Sequence, residues 1–410
     1  MSNGVEETSG GIWAQQEFRT YIGSTGFSGM AIAMQQLLLS WLLIGILELA
    51  ADVVGVIQAV IGIPSIFLML LGGARSDASD PRRLLTILYA LSPVFPVFLV
   101  LAEFWVGLAV WNVMVWGVGL AITQALSMPA QQAILNNIAG KDVQKGVTIA
   151  TAIGMVVQVV GLLMAGQLDR VGVGSVLIVQ AIAFGFAAYM TSKLKQIEMP
   201  PEKEDVSAWQ QIKDGLHATV SNKVVASVLT INFISSIFNA GSMMTVFPFI
   251  VKRVYEGDAF ILSLLMALFF VFAAISNAII LRFMPLARPG RLYLILQLSR
   301  IIVIGLLYMK GDWWLLTTAV MLWGFNMGLT SNLARTVVQE CAEEAYRGRI
   351  LSVFTVSMMG TGPIGAVILG VLIETFGTLN ALLPAIFVSI ALAVYGTFYT
   401  PVWRYQSPAS

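Results

Sequence analysis

Five charged residues, Arg75, Asp77, Asp80, Arg82 and Arg83, crowd into the stretch GGARSDASDPRRLL (residues 72–85) of a chain that is only 11% charged. Long apolar runs flank it on both sides. A carboxylate at one helix end can accept hydrogen bonds from the N-terminus of a neighbouring helix and meet a basic group there. The work open to such a cluster is mechanical, the making and breaking of polar contacts at the edge of an apolar body. The plainer alternative is that the arginines only set the direction in which the chain crosses a membrane. A second charge, Arg300, stands near the middle of an apolar run. An arginine facing lipid there is costly, so it needs a buried partner or a route to the interface, which leaves a structural role and a role in gating or coupling both open. Covalent chemistry has no foothold. One cysteine (Cys341) and one histidine (His217) make neither a disulfide nor a zinc site, and no GxxxxGK[ST] loop is present to hold a nucleotide. No enzyme activity, metal or cofactor is expected.

The elements that must position these residues are membrane helices. The 410 residues are 58% hydrophobic, with a mean hydropathy of +0.84. Apolar stretches of ~20 residues recur along the chain, each long enough to cross a hydrocarbon core of ~30 Å. They are continuous rather than alternating, which excludes a barrel. Spans are read at 18–46, 52–74, 83–104, 106–128, 146–168 and 172–192, then at 223–248, 259–283, 291–309, 313–335, 350–373 and 379–401. The fold class is therefore an all-α polytopic membrane protein of twelve transmembrane helices in two six-helix halves, 18–192 and 223–401. Tails of 1–17 and 402–410 flank them.

Between the halves lies the linker 193–222. It carries Pro200-Pro201 and a charge run, then Trp209, Ile212, Leu216 and Val220 at helical spacing, the pattern of an amphipathic helix on the membrane surface. With both termini in the cytoplasm, only Arg170, Lys252, Arg253 and Lys310 of the 23 Lys and Arg fall on the far side, as the positive-inside rule requires. The polar, acidic N-terminus lacks the basic start and short apolar core of a cleaved signal peptide. A net charge of +1 without a basic, aromatic-rich tract gives no reason to expect nucleic acid.

The two halves echo each other. Gly161 and Gly166 in the fifth span parallel Gly365 and Gly370 in the eleventh, and AILNNIAGKDVQKG after the fourth parallels VVQECAEEAYRGR after the tenth. Paired halves around a central cavity are a recurrent transporter construction.

Residues 73–83 resemble the loop between helices two and three of the major facilitator superfamily, Gly-x-x-x-Asp followed by a basic cluster. The likeness extends over 18–401: MQQLLLSW in the first span, Gln58 and Pro64 in the second, MPAQQA after the fourth and TVVQECAEEAYRGRILS after the tenth resemble a drug- and siderophore-exporter branch that includes enterobactin, macrolide and tetracycline exporters. In that family the loop is a cytoplasmic latch. The resemblance thus implies gating roles for Gly73, Asp77, Arg82 and Arg83 and, where the eleventh helix begins, for Arg347 and Arg349. Ala78 and Pro81 replace two basic residues usual in the branch, and Ala287 stands at the Asp position of the second-half copy, so a one-sided latch is expected.

In the superfamily, helices one, four, seven and ten surround the substrate. Here those spans carry Gln35 and Gln36; Asn112, Trp116 and Thr123; Asn232, Ser236 and Asn239; and Trp323 and Asn326. Polar groups facing lipid are costly, so these line a cavity or bond neighbouring helices. Such a neutral lining suits an amphiphilic organic molecule. No carboxylate lies deep in these four spans, so proton antiport is implied by the resemblance and not by the residues. The expectation is a monomeric alternating-access exporter of a drug- or siderophore-like molecule in a bacterial inner membrane, partnered by the lipid bilayer, a small-molecule substrate and protons. An importer or facilitator of one metabolite, and a non-transporting relative acting as sensor or scaffold, are the alternatives.

Overall fold

The computed structural model describes residues 12–76, 80–196, 208–343 and 346–408. Among them the chain is a bundle of long helices: α1 (Gln16–Ile46), α2 (Ala51–Ser76), α3 (Pro81–Trp105), α4 (Val110–Ala139), α5 (Val143–Val171) and α6 (Val173–Ser192). A short linker helix, α7 (Ala208–Ser221), precedes α8 (Lys223–Val254), α9 (Ala259–Leu281), α10 (Pro289–Tyr308), α11 (Trp313–Cys341), α12 (Arg347–Phe376) and α13 (Asn380–Phe398). Eleven of these are long and apolar enough to cross a bilayer. The 29-residue α11 supplies the twelfth crossing: its tryptophans, glycines and Asn326 dilute the apolar run, yet it packs between α9 and α10 in the bundle.

Local chemistry sets the helix ends. Pro81 opens α3, and the Asp80 carboxylate before it accepts from the Arg82 N–H at 3.0 Å, an N-cap with proline at the first helical position. The rod breaks at Ser92–Pro93, where proline removes a donor, and resumes at Val94. Helix α4 runs to Ala139, well past the span end read at 128, and α11 to Cys341, past 335. Hydropathy marks where a helix leaves the apolar layer. The helix itself continues through Gln131, Gln132 and Asn136 until Gly140, at φ 49°, turns the chain.

The outside of the bundle is apolar. Ile178, Ile182 and Phe186 on α6, and Phe387, Val394 and Phe398 on α13, are exposed at helical spacing. Phe104, Trp105, Trp314 and Tyr399 crowd the helix ends, as aromatics do at a membrane interface.

Helices α1–α6 pack among themselves, as do α8–α13, and the halves meet where α2 lies on α12 and α5 on α9. The glycine pairs show the two-fold relation atom by atom. A Cβ on Gly161 would meet the Met30 carbonyl of α1, and one on Gly365 the Ile237 carbonyl of α8, the first helix of its own half in each case. A Cβ on Gly166 would meet Ser263 of α9, and one on Gly370 the Ala51 carbonyl of α2, each across the seam. Small residues at these crossings let backbones approach closely.

The seam is closed at one end only. Helix α5 buries nothing from Val147 to Val160, then buries Gly161, Leu162 and Ala165. Helix α2 buries its first turns but no residue from Gly62 to Leu68. Helix α12 buries only Ile350 and Phe354 before Thr361, then a dense run to Ile373. The halves are therefore in contact at the end away from the termini and apart at the end that carries them.

Candidate substrate cavity and gate

In the second half the structure brings several sequence candidates to one cavity. Asn239 on α8 and Trp323 on α11 both line it, and the Trp323 Nε1–H donates to Asn239 Oδ1 at 2.5 Å. Phe247 and Phe269 hold the Trp323 ring edge-on, with centroids 6.0 and 5.6 Å away. Arg300 reaches the same cavity from α10, alongside Ser235 of α8. Asn232 is buried one turn before Ser235, with its Nδ2 unpartnered, and Ser236 is half-buried beside them. Asn326 points elsewhere: its Nδ2 donates to the Leu296 carbonyl at 2.9 Å and to Ser299, tying α11 to α10.

First-half candidates mostly join helices. Gln35 Nε2 donates to the Gly117 carbonyl of α4 at 3.2 Å. Trp116 donates to Gln180 of α6 at 3.2 Å, and Gln180 in turn to the Ala31 carbonyl of α1 at 2.8 Å. Thr123 donates to the Gly119 carbonyl and accepts from Ser92 of α3. Asn112 serves the start of its own helix, donating to Gly107 O at 2.9 Å and accepting from the Ala109 N–H at 3.0 Å. Gln36 is half-exposed on the face of α1 that also presents Thr25, Gly29 and Ile32.

At the end carrying the termini, Asp77 lies outside the described residues and Gly73 belongs to the last turns of α2. Arg82 is engaged within the first half, its Nη2 donating to the Ser192 carbonyl of α6 at 2.5 Å. Arg83 and Arg347 are exposed. Arg349 is half-buried, its guanidinium 5.7 Å from the Tyr346 ring centroid, and its backbone carbonyl bears on Gly215 of α7. The linker helix thus rests on the start of α12 and leaves Leu216 and Val220 exposed.

The far end holds a polar clasp between the halves. Glu374 near the end of α12 accepts from the Ala51 N–H that opens α2 at 2.7 Å and from Arg253 Nη1 at 3.1 Å. Its two-fold counterpart is Asp169 near the end of α5, which accepts from the Ala259 N–H that opens α9 at 2.9 Å and from Trp41 at 3.1 Å. Each carboxylate thus meets the positive end of a helix in the opposite half. Beneath them Gln58 of α2 is buried, donating to the Met244 carbonyl at 3.1 Å and accepting from Thr245 at 2.7 Å, both on α8. On either side of Gln58 along α2, the Gly55 and Gly62 crossings bring the helix onto Ala366 and Pro363 of α12.

The sequence pattern of the Major Facilitator Superfamily matches residues 22–366, most of the chain. This chain belongs to the major facilitator superfamily. A search of curated proteins found no match. Solved structures share the fold. The nucleoside transporter NupG superposes with a TM-score of 0.76 at 13% identity, covering 95% of this chain and 100% of that one. An auto-inhibited POT family peptide transporter gives 0.75 at 12% identity over 94% and 97%, and the xylose transporter XylE from E. coli in an inward open conformation gives 0.68 at 12% over 93% and 95%. As a superfamily member, the chain is a multi-pass membrane protein with the fold of a secondary transporter.

The clasp was not singled out by sequence reading, which noted only that no carboxylate lies deep in the first, fourth, seventh and tenth spans. A signal was present. Asp169 stands three residues before Gly172 and Glu374 three before Gly377, and these glycines turn the chain at φ 85° and 91°. The echo of the two halves therefore runs past the glycine pairs to the acids.

Proposed function

We propose that this superfamily member exports an amphiphilic small organic molecule by alternating access. One observation supports the alternating-access part of the reading: α2, α5 and α12 are tightly packed at the end away from the termini and unpacked at the other. With both termini cytoplasmic, the orientation favoured by the basic residues, this is an inward-facing state. Substrate would enter from the cytoplasm, reach Asn239, Trp323 and Gln36, and leave when the Asp169 and Glu374 clasp opens. The halves would rock about that site. Export, rather than import, rests on the motif resemblance, as do an inner-membrane address and a monomeric carrier. The latch roles of Asp77 and its arginines stand on the same footing.

The test is accumulation of dyes, antibiotics and siderophores in efflux-deficient bacteria expressing the protein, with and without a protonophore, and with Gly55→Val as a control that blocks far-end closure. Lower accumulation of some compound, lost in the variant, establishes export, and loss with the protonophore establishes proton-linked energy. Raised accumulation of any compound, with none lowered, refutes export.

A further inference from the structure

Around Arg300, hydrogen-bond donors outnumber acceptors. Its Nη1 reaches the Ser235 hydroxyl and, at 3.5 Å, the Ser235 carbonyl. That hydroxyl donates onward to Gln297 Oε1 at 3.1 Å. The bond occupies the acceptor end of the Gln297 amide and leaves its Nε2 without a partner. Arg300 Nε, Asn232 Nδ2 and the Tyr293 hydroxyl are likewise buried and unpartnered. The ion pairs among the described residues, Lys195–Glu17 and Arg253–Glu374, lie elsewhere. A largely buried cation whose own Nε is idle, with idle amide N–H groups on Gln297 and Asn232, is an incomplete arrangement, because buried polar groups are almost always satisfied and an unpaired buried charge is strongly unfavourable. What completes it must supply only acceptors and a negative charge.

The cavity beside Arg300 has the shape for such a guest. Ser235, Asn239 and Ser389 give the wall its neutral polar groups, Ser235 in contact with the guanidinium, whereas Val303, Ile304 and Leu307 make it apolar elsewhere. The free space of the cavity is about 30 Å³, room for one or two waters or for a compact anionic head. A planar carboxylate matches the guanidinium fork, and its apolar remainder would lie along the aliphatic wall.

We infer that this cavity binds an organic carboxylate, its charged head on Arg300 and its apolar body along α10 and α13. The inference rests on the transport reading only in taking the cavity as the substrate's seat, and it explains why an arginine is kept in mid-membrane.

The experiment is thermal unfolding of the purified full-length protein in phosphatidylcholine nanodiscs, with benzoate and hexanoate compared with benzamide and hexanamide. The acids are expected to raise the midpoint by about 2–4 °C at saturating concentration, and the amides to leave it in place. Arg300→Gln should abolish the acid shift, and Arg300→Lys should weaken apparent affinity about ten-fold, since an ammonium cannot bind a carboxylate bidentately. If Arg300→Gln folds poorly, Asn232→Leu keeps the charge and removes one idle donor, and acid binding should weaken several-fold. Equal shifts from acids and amides, or an acid shift that survives Arg300→Gln, overturn the inference. So does loss of the acid shift when phosphatidylglycerol is added to the discs, which would make a lipid headgroup the occupant. Acid binding without any transport in vesicles keeps the carboxylate site and removes the transporter reading. Energised export that ignores Arg300→Gln, in a protein that binds no acid, does the reverse.

Discussion

The clasp at the far end allows its weight in the conformational equilibrium to be worked out before it is measured. Glu374 and Asp169 each accept from the first N–H of a helix in the other half, at 2.7 and 2.9 Å. Both contacts must break when the halves part at that end, so their whole energy enters the balance between inward- and outward-facing states. Changing Glu374→Gln or Asp169→Asn keeps an oxygen that can still accept but removes the charge facing the helix end. A charge at a helix N-terminus is worth about 0.3–1 kcal/mol at an exposed site. The Arg253 pair adds little, because its side chains are 41% and 36% exposed and water screens them. About 1 kcal/mol for each change is therefore the upper range.

The double variant then loses about 2 kcal/mol of far-end closure if the two sites act independently, a population shift of about thirty-fold. That would bring a state present at a few per cent near parity. The assay is double electron–electron resonance between spin labels at Val106→Cys and Met309→Cys, exposed positions at the far end of opposite halves, with the native Cys341 replaced. The single variants should each add a longer-distance population, and the double variant should make it a major one. An unchanged distance distribution in the double variant, with the protein folded, would show that the glycine seam and Gln58 hold the end shut and that the carboxylates are passive.

Gly55→Val drives a side chain into the Ala366 carbonyl; overpacking of this kind costs about 1–3 kcal/mol, so the same labels should report far-end opening, and thiol reagents should reach the seam faster. Asn326→Ala should lower thermal stability by about 0.6–1.5 kcal/mol through its lost bond to α10 and leave substrate affinity alone, whereas Trp323→Phe should weaken affinity with little loss of stability. Asp77→Asn is expected to slow transport while insertion stays intact, and wild-type rates in that variant would dismiss the latch. At the C-terminus, Tyr405 donates to Glu340 at 3.0 Å, and burial, with Cys341 and Glu340 nearby, pushes its hydroxyl above the usual phenol range. A raised pKa stabilises the fold fully below the unfolded value near 10 and loses that contribution at higher pH, so amide exchange in residues 402–407 should be flat from pH 6 to 9, after correction for intrinsic rates, and accelerate above 10. Tyr405→Phe should show the fast exchange at every pH.

How much of this was legible before the structure depends on whether a feature is local or relational. Span number follows from apolar run length, a property each helix carries alone, and it was read correctly even for α11, whose polar residues blur it. The Gly161–Gly166 and Gly365–Gly370 pairs were legible for a different reason: a repeat exposes a relation by comparison within one chain. They turn out to mark equivalent crossings, one within a half and one across the seam. Helical spacing, by contrast, shows that residues share a face and not which neighbour that face meets. Gln35 and Gln36 are adjacent, about 100° apart round α1, yet one bonds the α4 backbone and the other stays half-exposed. The clasp is the extreme case. Glu374 meets Ala51 across 323 residues, and nothing near either position says that the end of α12 will face the start of α2. Arg300 falls between these cases. Its depth in an apolar run announced that it needed a partner, while the absence of any carboxylate beside it, among the described residues, could appear only once α8 and α10 were packed together. A sequence can therefore announce an unmet need, but only packing shows whether the chain itself meets it or leaves it for a ligand.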